Sequence, residues 1–130
     1  MKKVITFGTF DVFHVGHLSI LERARALGDR LIVGVSTDAL SASKKGREPV
    51  HSFTERSRII AALRCVDQVF AEETLEAKAD YVRTHGANLL VMGDDWRGRF
   101  DHLRGLCDVA YLPRTPSVST TATIERIRLK

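Results

Sequence analysis

Apolar and polar positions alternate in blocks along the chain. Short runs rich in β-branched residues recur at 3–8 (KVITFG), 30–36 (RLIVGVS), 67–71 (DQVFA), 88–93 (NLLVMG) and 108–113 (DVAYLP). They are too continuously apolar for a sheet with one wet face, and predict strands buried on both sides. Between them the spacing lengthens to that of a helix: Leu18, Leu21, Ala24 and Leu27, then Ile59, Ile60 and Leu63, then Leu75, Ala79 and Val82. The tail STTATIERIRLK opens on hydroxyl residues suited to an N-cap and continues with Ile124 and Ile127, which predicts a last helix. Ser52 and Glu55 have capping-box spacing, and Gly28 and Gly86 stand where helices would end on a left-handed residue. The stretch 38–52, DALSASKKGREPVHS, is small, polar and basic, and predicts a mobile loop at the active face. Strands alternating with helices imply an α/β fold: one Rossmann-like domain over 1–130, with five parallel strands joined by right-handed crossovers and flanked by helices.

Composition narrows the chemistry. With 44% apolar and 28% charged residues in 130, the chain has ordinary globular usage. Lys and Arg exceed Asp and Glu by 20 − 16 = 4, a balance that suits an anionic ligand. It is modest for a nucleic-acid binder, and the aromatics are not interleaved with a basic stripe, so no nucleic-acid partner is expected. Cys65 and Cys107 are isolated, which argues against zinc and a disulfide framework and for a reducing cytoplasm. The opening MKKVITFGTFD shares only its lysines with a signal peptide, and no run approaches a membrane span, so no membrane partner is expected.

In a parallel sheet of this kind ligands sit beyond the carboxyl ends of the strands, so the residues just after each strand matter most. After the first come Thr9, Phe10, Asp11, His14 and His17; after the second, Thr37, Asp38, Lys44, Lys45 and Arg47. GDDWRGRFD comes after the fourth and RTPSVSTT after the fifth. These edges are polar, mostly basic or hydroxyl-rich, and converge on one rim. His14 and His17, either side of Gly16, fall at the predicted start of the first helix, where free amides and the dipole favour an anion. They could donate hydrogen bonds to a phosphoryl group, or simply cap or pack; as zinc ligands they lack a third partner nearby. Arg114 and the hydroxyls after it could make a second anion site at a predicted helix start, or simply a loop and a helix cap. Lys44, Lys45 and Arg47 could clamp a triphosphate or lie solvated. Asp11, Asp94 and Asp95 could hold magnesium beside phosphates, or cap and pair with arginines. Trp96 could stack on a base or pack. Neither GxxxxGK[ST] nor GxGxxG is present, which removes the main support for P-loop and nicotinamide chemistry.

GTFDVFHVGH together with RTPSVSTT resembles the HxGH nucleotidyltransferases. STD, HSFTERSRII, RCVDQV, VMGDDWRGRFD and AYLPRT, in that order over nearly the whole chain, make it look most like the cytidylyltransferase family. The resemblance implies the nucleotidyltransferase fold and transfer of CMP from CTP to a small phosphorylated alcohol, glycerol 3-phosphate foremost, giving CDP-glycerol and pyrophosphate. It implies Mg2+ with CTP, for which Asp11 and Asp94 are the candidate ligands among the rim carboxylates, and a cytoplasmic homodimer. His14 and His17 are then the catalytic pair. Thr9, Phe10, His14, His17, Arg47, Arg114, Thr115, Ser119, Thr120 and Thr121 contact CTP, and Lys44 and Lys78 meet the acceptor phosphate. The chain departs from the family pattern at Val15, Thr74, Leu75 and Ala122 and in a loop before His51 that is one residue longer. An adenylyltransferase of the same superfamily and a non-catalytic nucleotide sensor are the alternatives.

Overall fold

The computed structural model describes residues 1–114 and 119–129. Its five strands are β1 (Lys3–Gly8), β2 (Arg30–Ser36), β3 (Gln68–Glu72), β4 (Leu89–Gly93) and β5 (Asp108–Leu112). All pair in parallel, in the order β3-β2-β1-β4-β5. Each apolar run of the sequence is thus a strand, displaced by a residue at most at either end. The helices are α1 (Val15–Arg25), α2 (Asp38–Lys45), α3 (Phe53–Ala61), α4 (Lys78–His85) and α5 (Thr120–Leu129).

Neighbouring strand residues face opposite ways and divide between two cores. Ile5, Ile32, Leu90 and Val109 pack with Val82 of α4 and with Phe100 and Leu103. Val4, Leu31, Leu89 and Val91 pack on the other face with Leu21 and Ala24 of α1 and Ile60 of α3. Both faces are covered, which is why the strands could carry no polar alternation. From β1 the sheet grows through β2 to β3, then returns to lay β4 beside β1. The reversal opens a crevice beyond the carboxyl ends of β1 and β4.

Three local expectations change. The stretch 38–52 is not one loop: α2 fills its first half. Thr37 caps it, accepting from the Leu40 N–H at 3.2 Å, and Gly46 ends it in a left-handed conformation with φ 72°. A short helix that buries only Leu40 and Ser41 has too little apolar face to be read from periodicity. Gly86 does end α4 at φ 63°, but α1 ends on Ala26 and Gly28 serves a different need. A Cβ there would stand 2.8 Å from the Lys2 carbonyl oxygen, so it is close backbone packing that demands the glycine. Leu75 lies ahead of α4 and lines the crevice instead.

Candidate active site

The two histidines build the start of α1. His14 is the N-cap: its Nδ1 accepts from the Gly16 N–H at 3.0 Å, while His17 Nδ1 accepts from the His14 N–H at 3.2 Å. This is a capping box made of imidazoles, with the rings stacked 3.8 Å apart. An imidazole that accepts at Nδ1 carries its proton on Nε2, so capping fixes the tautomer and makes Nε2–H the donor that no described residue uses. Burial, the adjacent His14 and the Lys45 charge lower the His17 pKa to about 3, against an opposing pull from Asp11. His14 is lowered too, by burial and by Arg114. Both rings are therefore neutral donors at physiological pH. The capping and phosphate-donor readings are compatible, because each uses a different nitrogen. The free amides expected at this helix start are largely consumed: Gly16 N–H binds His14 Nδ1, and the His17 and Leu18 N–H groups bind the His14 carbonyl. What acts on an anion here is the imidazoles and the dipole.

Both histidines line a cleft of about 530 Å³ with Thr9, Phe10, Gly16, Lys44, Lys45, Lys78, Arg114, Ser119, Thr120 and Thr121. The fold thus brings together nearly every predicted site residue. Arg47 is exposed and outside the lining; Lys45, the last residue of α2, takes its place. Thr115 falls outside the described residues. Phe10 packs edge-on against the His17 ring, 5.6 Å between centroids, and Phe13 backs that ring at 5.4 Å. Trp96 lines the cleft while packing on Phe100 at 5.5 Å. At the head of α5, Ser119 Oγ accepts from the Ala122 N–H, and Thr120 Oγ1 donates to the Asp11 carbonyl at 2.7 Å, so a second helix start borders the cleft. Arg114 is held by Asp95 at 3.2 Å.

Two side chains pin the floor. Phe10 and Val12 have φ of 55° and 48°, strained values for residues with side chains. Between them Asp11 accepts from the Val50 and His51 N–H groups at 2.7 and 2.9 Å, tying the β1 loop to the approach to α3. Arg56, 1% exposed, donates to the Thr9, Ser36 and His51 carbonyls at 2.7, 2.9 and 3.0 Å and to Asp38 at 2.7 Å. One guanidinium thereby fastens the ends of β1 and β2 to the starts of α2 and α3. Arg56 is not among the residues that the sequence pattern singles out. Its only signal is an arginine inside an amphipathic helix, and that is usually a solvated position.

The lysines lie at the other end of the cleft, joined by a second residue that the pattern does not single out. Glu72, the last residue of β3, is 1% exposed. One of its oxygens accepts from Ser36 Oγ at 3.1 Å and the other forms an ion pair with Lys78. Ser36 Oγ in turn accepts from Lys44 Nζ at 2.9 Å. Lys78, itself 2% exposed, lies 4.4 Å over the Phe7 ring. Burial foremost pushes the Lys44 pKa down to about 8, and lowers that of Lys78. An acid ending an apolar strand was the available clue.

The carboxylates do not form a magnesium cage. Both oxygens of Asp11 are taken by backbone donors, and Asp94 is outside the cleft lining. Among the described residues no group of three or more His, Cys, Asp or Glu could hold a metal ion by itself, and magnesium beside a nucleotide takes most of its oxygens from phosphates and water. Asp11 is a tether in this fold.

The cytidylyltransferase-like family model matches residues 5–126. The chain is 47% identical over 127 residues to the glycerol-3-phosphate cytidylyltransferase of Bacillus subtilis, spanning 98% of each. It is 42% identical over 121 residues to the enzyme of the same name from Staphylococcus aureus, spanning 93% of this chain and 91% of that one. A solved structure, the lipopolysaccharide core biosynthesis protein from Thermoplasma volcanium, superposes with a TM-score of 0.70 at 24% identity over 88% of this chain and 97% of the other, a likeness of fold alone. A parallel sheet with its crevice at the strand-order reversal, an imidazole capping box on that rim and a match along nearly the whole chain agree: this protein belongs to the cytidylyltransferase-like family.

Proposed function

We propose that this protein transfers CMP from CTP to glycerol 3-phosphate, forming CDP-glycerol and pyrophosphate. The observation that carries the reading is that one cleft joins two imidazoles, whose Nε2–H groups have no acceptor among the described residues, to the half-buried Lys44 and the buried Lys78. The first end suits a triphosphate and the second a phosphorylated acceptor; full-length relatives named for this reaction support the pairing. In the reaction an acceptor phosphate oxygen attacks the α-phosphorus in line, the bond from that phosphorus to the β-phosphate bridge breaks, and pyrophosphate leaves with the bond electrons. An acceptor phosphate is ionised at neutral pH, so no general base is needed and the work is positioning and charge stabilisation. His14 and His17 donate to oxygens whose charge grows in the transition state, Lys45 and Arg114 add positive charge, and Lys44 and Lys78 hold the acceptor. Magnesium enters with the nucleotide, as MgCTP. The assembly is a cytoplasmic homodimer in this reading; Val15 and Ile127, 61% and 66% exposed, supply apolar surface for a second copy.

Pyrophosphate release from pairs of CTP or ATP with glycerol 3-phosphate and other phosphorylated alcohols tests this directly. CTP with glycerol 3-phosphate is expected to be the best pair; equal or better use of ATP would promote the adenylyl alternative. Lys44→Ala and Lys78→Ala are each expected to raise the acceptor KM by roughly tenfold or more while the CTP KM moves little, as loss of a charged phosphate contact requires. Lys44 is charged only below its pKa of about 8, so kcat/KM for the acceptor should fall as pH rises through that value. An acceptor KM unchanged in both variants would remove the lysines from the site.

A further inference from the structure

We propose that Glu72 is the positioning residue of the acceptor end: it holds Lys44 and Lys78 in place as ammonium groups, and its fixed negative charge admits a phosphate on a neutral alcohol while rejecting one that also bears a carboxylate. The inference rests on the acceptor role of the two lysines proposed above.

Glu72 belongs to no catalytic step, yet it lines the cleft and is fully enclosed at the end of an edge strand. A buried carboxylate is tolerated only when its charge is compensated, and here the compensation is built on both sides. Lys78 pairs with one oxygen, and the other reaches Lys44 through the Ser36 hydroxyl, with steps of 3.1 and 2.9 Å. The same arrangement seen from the lysines explains how the buried Lys78 and the half-buried Lys44 keep their ammonium groups beside one another. Facing Lys44 are Glu72 from β3, Lys78 from α4, Lys45 of its own helix and Arg56 from α3; of these, only the glutamate favours its charge. Lys78 faces Glu72 and Glu76. Lys44, Lys78 and Glu72 together carry a net +1. A phosphate dianion is attracted, but a further carboxylate on the acceptor meets Glu72 across a medium that screens poorly.

The test compares wild type, Glu72→Gln and Ser36→Ala, using CTP with glycerol 3-phosphate or with 3-phosphoglycerate, in which a carboxylate replaces one hydroxymethyl group. In Glu72→Gln the acceptor KM at pH 8 should rise roughly tenfold, with the CTP KM little changed. The fall of acceptor kcat/KM with pH should move down by about one unit, because Lys44 loses the charge that keeps its proton on. Turnover of 3-phosphoglycerate relative to glycerol 3-phosphate should rise roughly tenfold. Ser36→Ala cuts the link to Lys44 but keeps the carboxylate, so it should raise the acceptor KM by roughly threefold without changing the acceptor ratio. A soluble Glu72→Gln with the wild-type pH profile and acceptor ratio overturns the proposal. Should that variant not fold, an unchanged acceptor KM in Ser36→Ala overturns it. These outcomes differ from failure of the cytidylyl reading, which would appear as a wild-type protein that releases no pyrophosphate from CTP with any phosphorylated alcohol.

Discussion

His14→Ala and His17→Ala are each expected to lower kcat by roughly 10²–10³-fold while raising the CTP KM far less, the loss typical of a donor whose hydrogen bond strengthens only in the transition state. The capping box makes the two variants informative in different ways. Removing His14 also deletes the N-cap acceptor of α1, whereas removing His17 deletes the ring that accepts the His14 N–H. Losing a cap costs about 1 kcal/mol, too little to unfold a domain but visible in a thermal melt. His14→Asn separates the two functions: it restores the cap through an oxygen acceptor yet places no donor where Nε2 stood, so stability should return and kcat should not. Charge sets a second expectation. Because burial holds the His17 pKa near 3, kcat should show no titration of that ring between pH 6 and 8. A folded His17→Ala variant that keeps most of its kcat would exclude the donor role.

Arg56→Leu is expected to be the most damaging single change away from the reacting groups. Leucine fills much of the buried volume but offers no hydrogen, so the Thr9 and Ser36 carbonyls lose their guanidinium donor in the interior. Each such group costs about 1–3 kcal/mol, which together with the lost Asp38 pair predicts destabilisation of about 3–5 kcal/mol. For a chain of this length that is a fall in Tm of roughly 10–20 °C. Arg56→Lys should recover only part of it, since one ammonium cannot span partners lying on four different segments. Activity should suffer beyond the stability loss, because the same guanidinium fixes the turn after Thr9 that leads into the strained Phe10 and Val12 and on to the histidines. A melt within a few degrees of wild type would show that the clamp is dispensable.

The parts legible in the sequence were those set by local pattern. Five apolar runs became five strands because a sheet covered on both faces leaves no polar alternation to obscure them. Ser52 does cap α3, accepting from the Glu55 N–H at 3.2 Å, because the capping box depends on two residues three apart and little else. The rim residues were legible for a topological reason: in parallel sheets the segments leaving the strands all lie on the same edge, so Thr9, the histidines, Lys44 and Arg114 could be grouped without knowing the strand order.

What only the tertiary structure decided was the partner of each group. The short α2 gains its stability from burying Leu40 and Ser41 and from the Thr37 cap, and its placement sends Lys45 rather than Arg47 to the cleft. Asp11 receives two N–H groups on its carboxylate from the approach to α3, some forty positions along, a tether that no local spacing announces. Glu72 and Lys78 are near in sequence, but the pair acquires its meaning from Ser36 and Lys44 on other segments. Arg56 meets carbonyls from positions 9, 36 and 51, a set no spacing rule connects. Periodicity is a property of neighbours along the chain and survives in one dimension. A buried charge is governed by whatever surrounds it in three dimensions, because only those contacts replace the water it has lost.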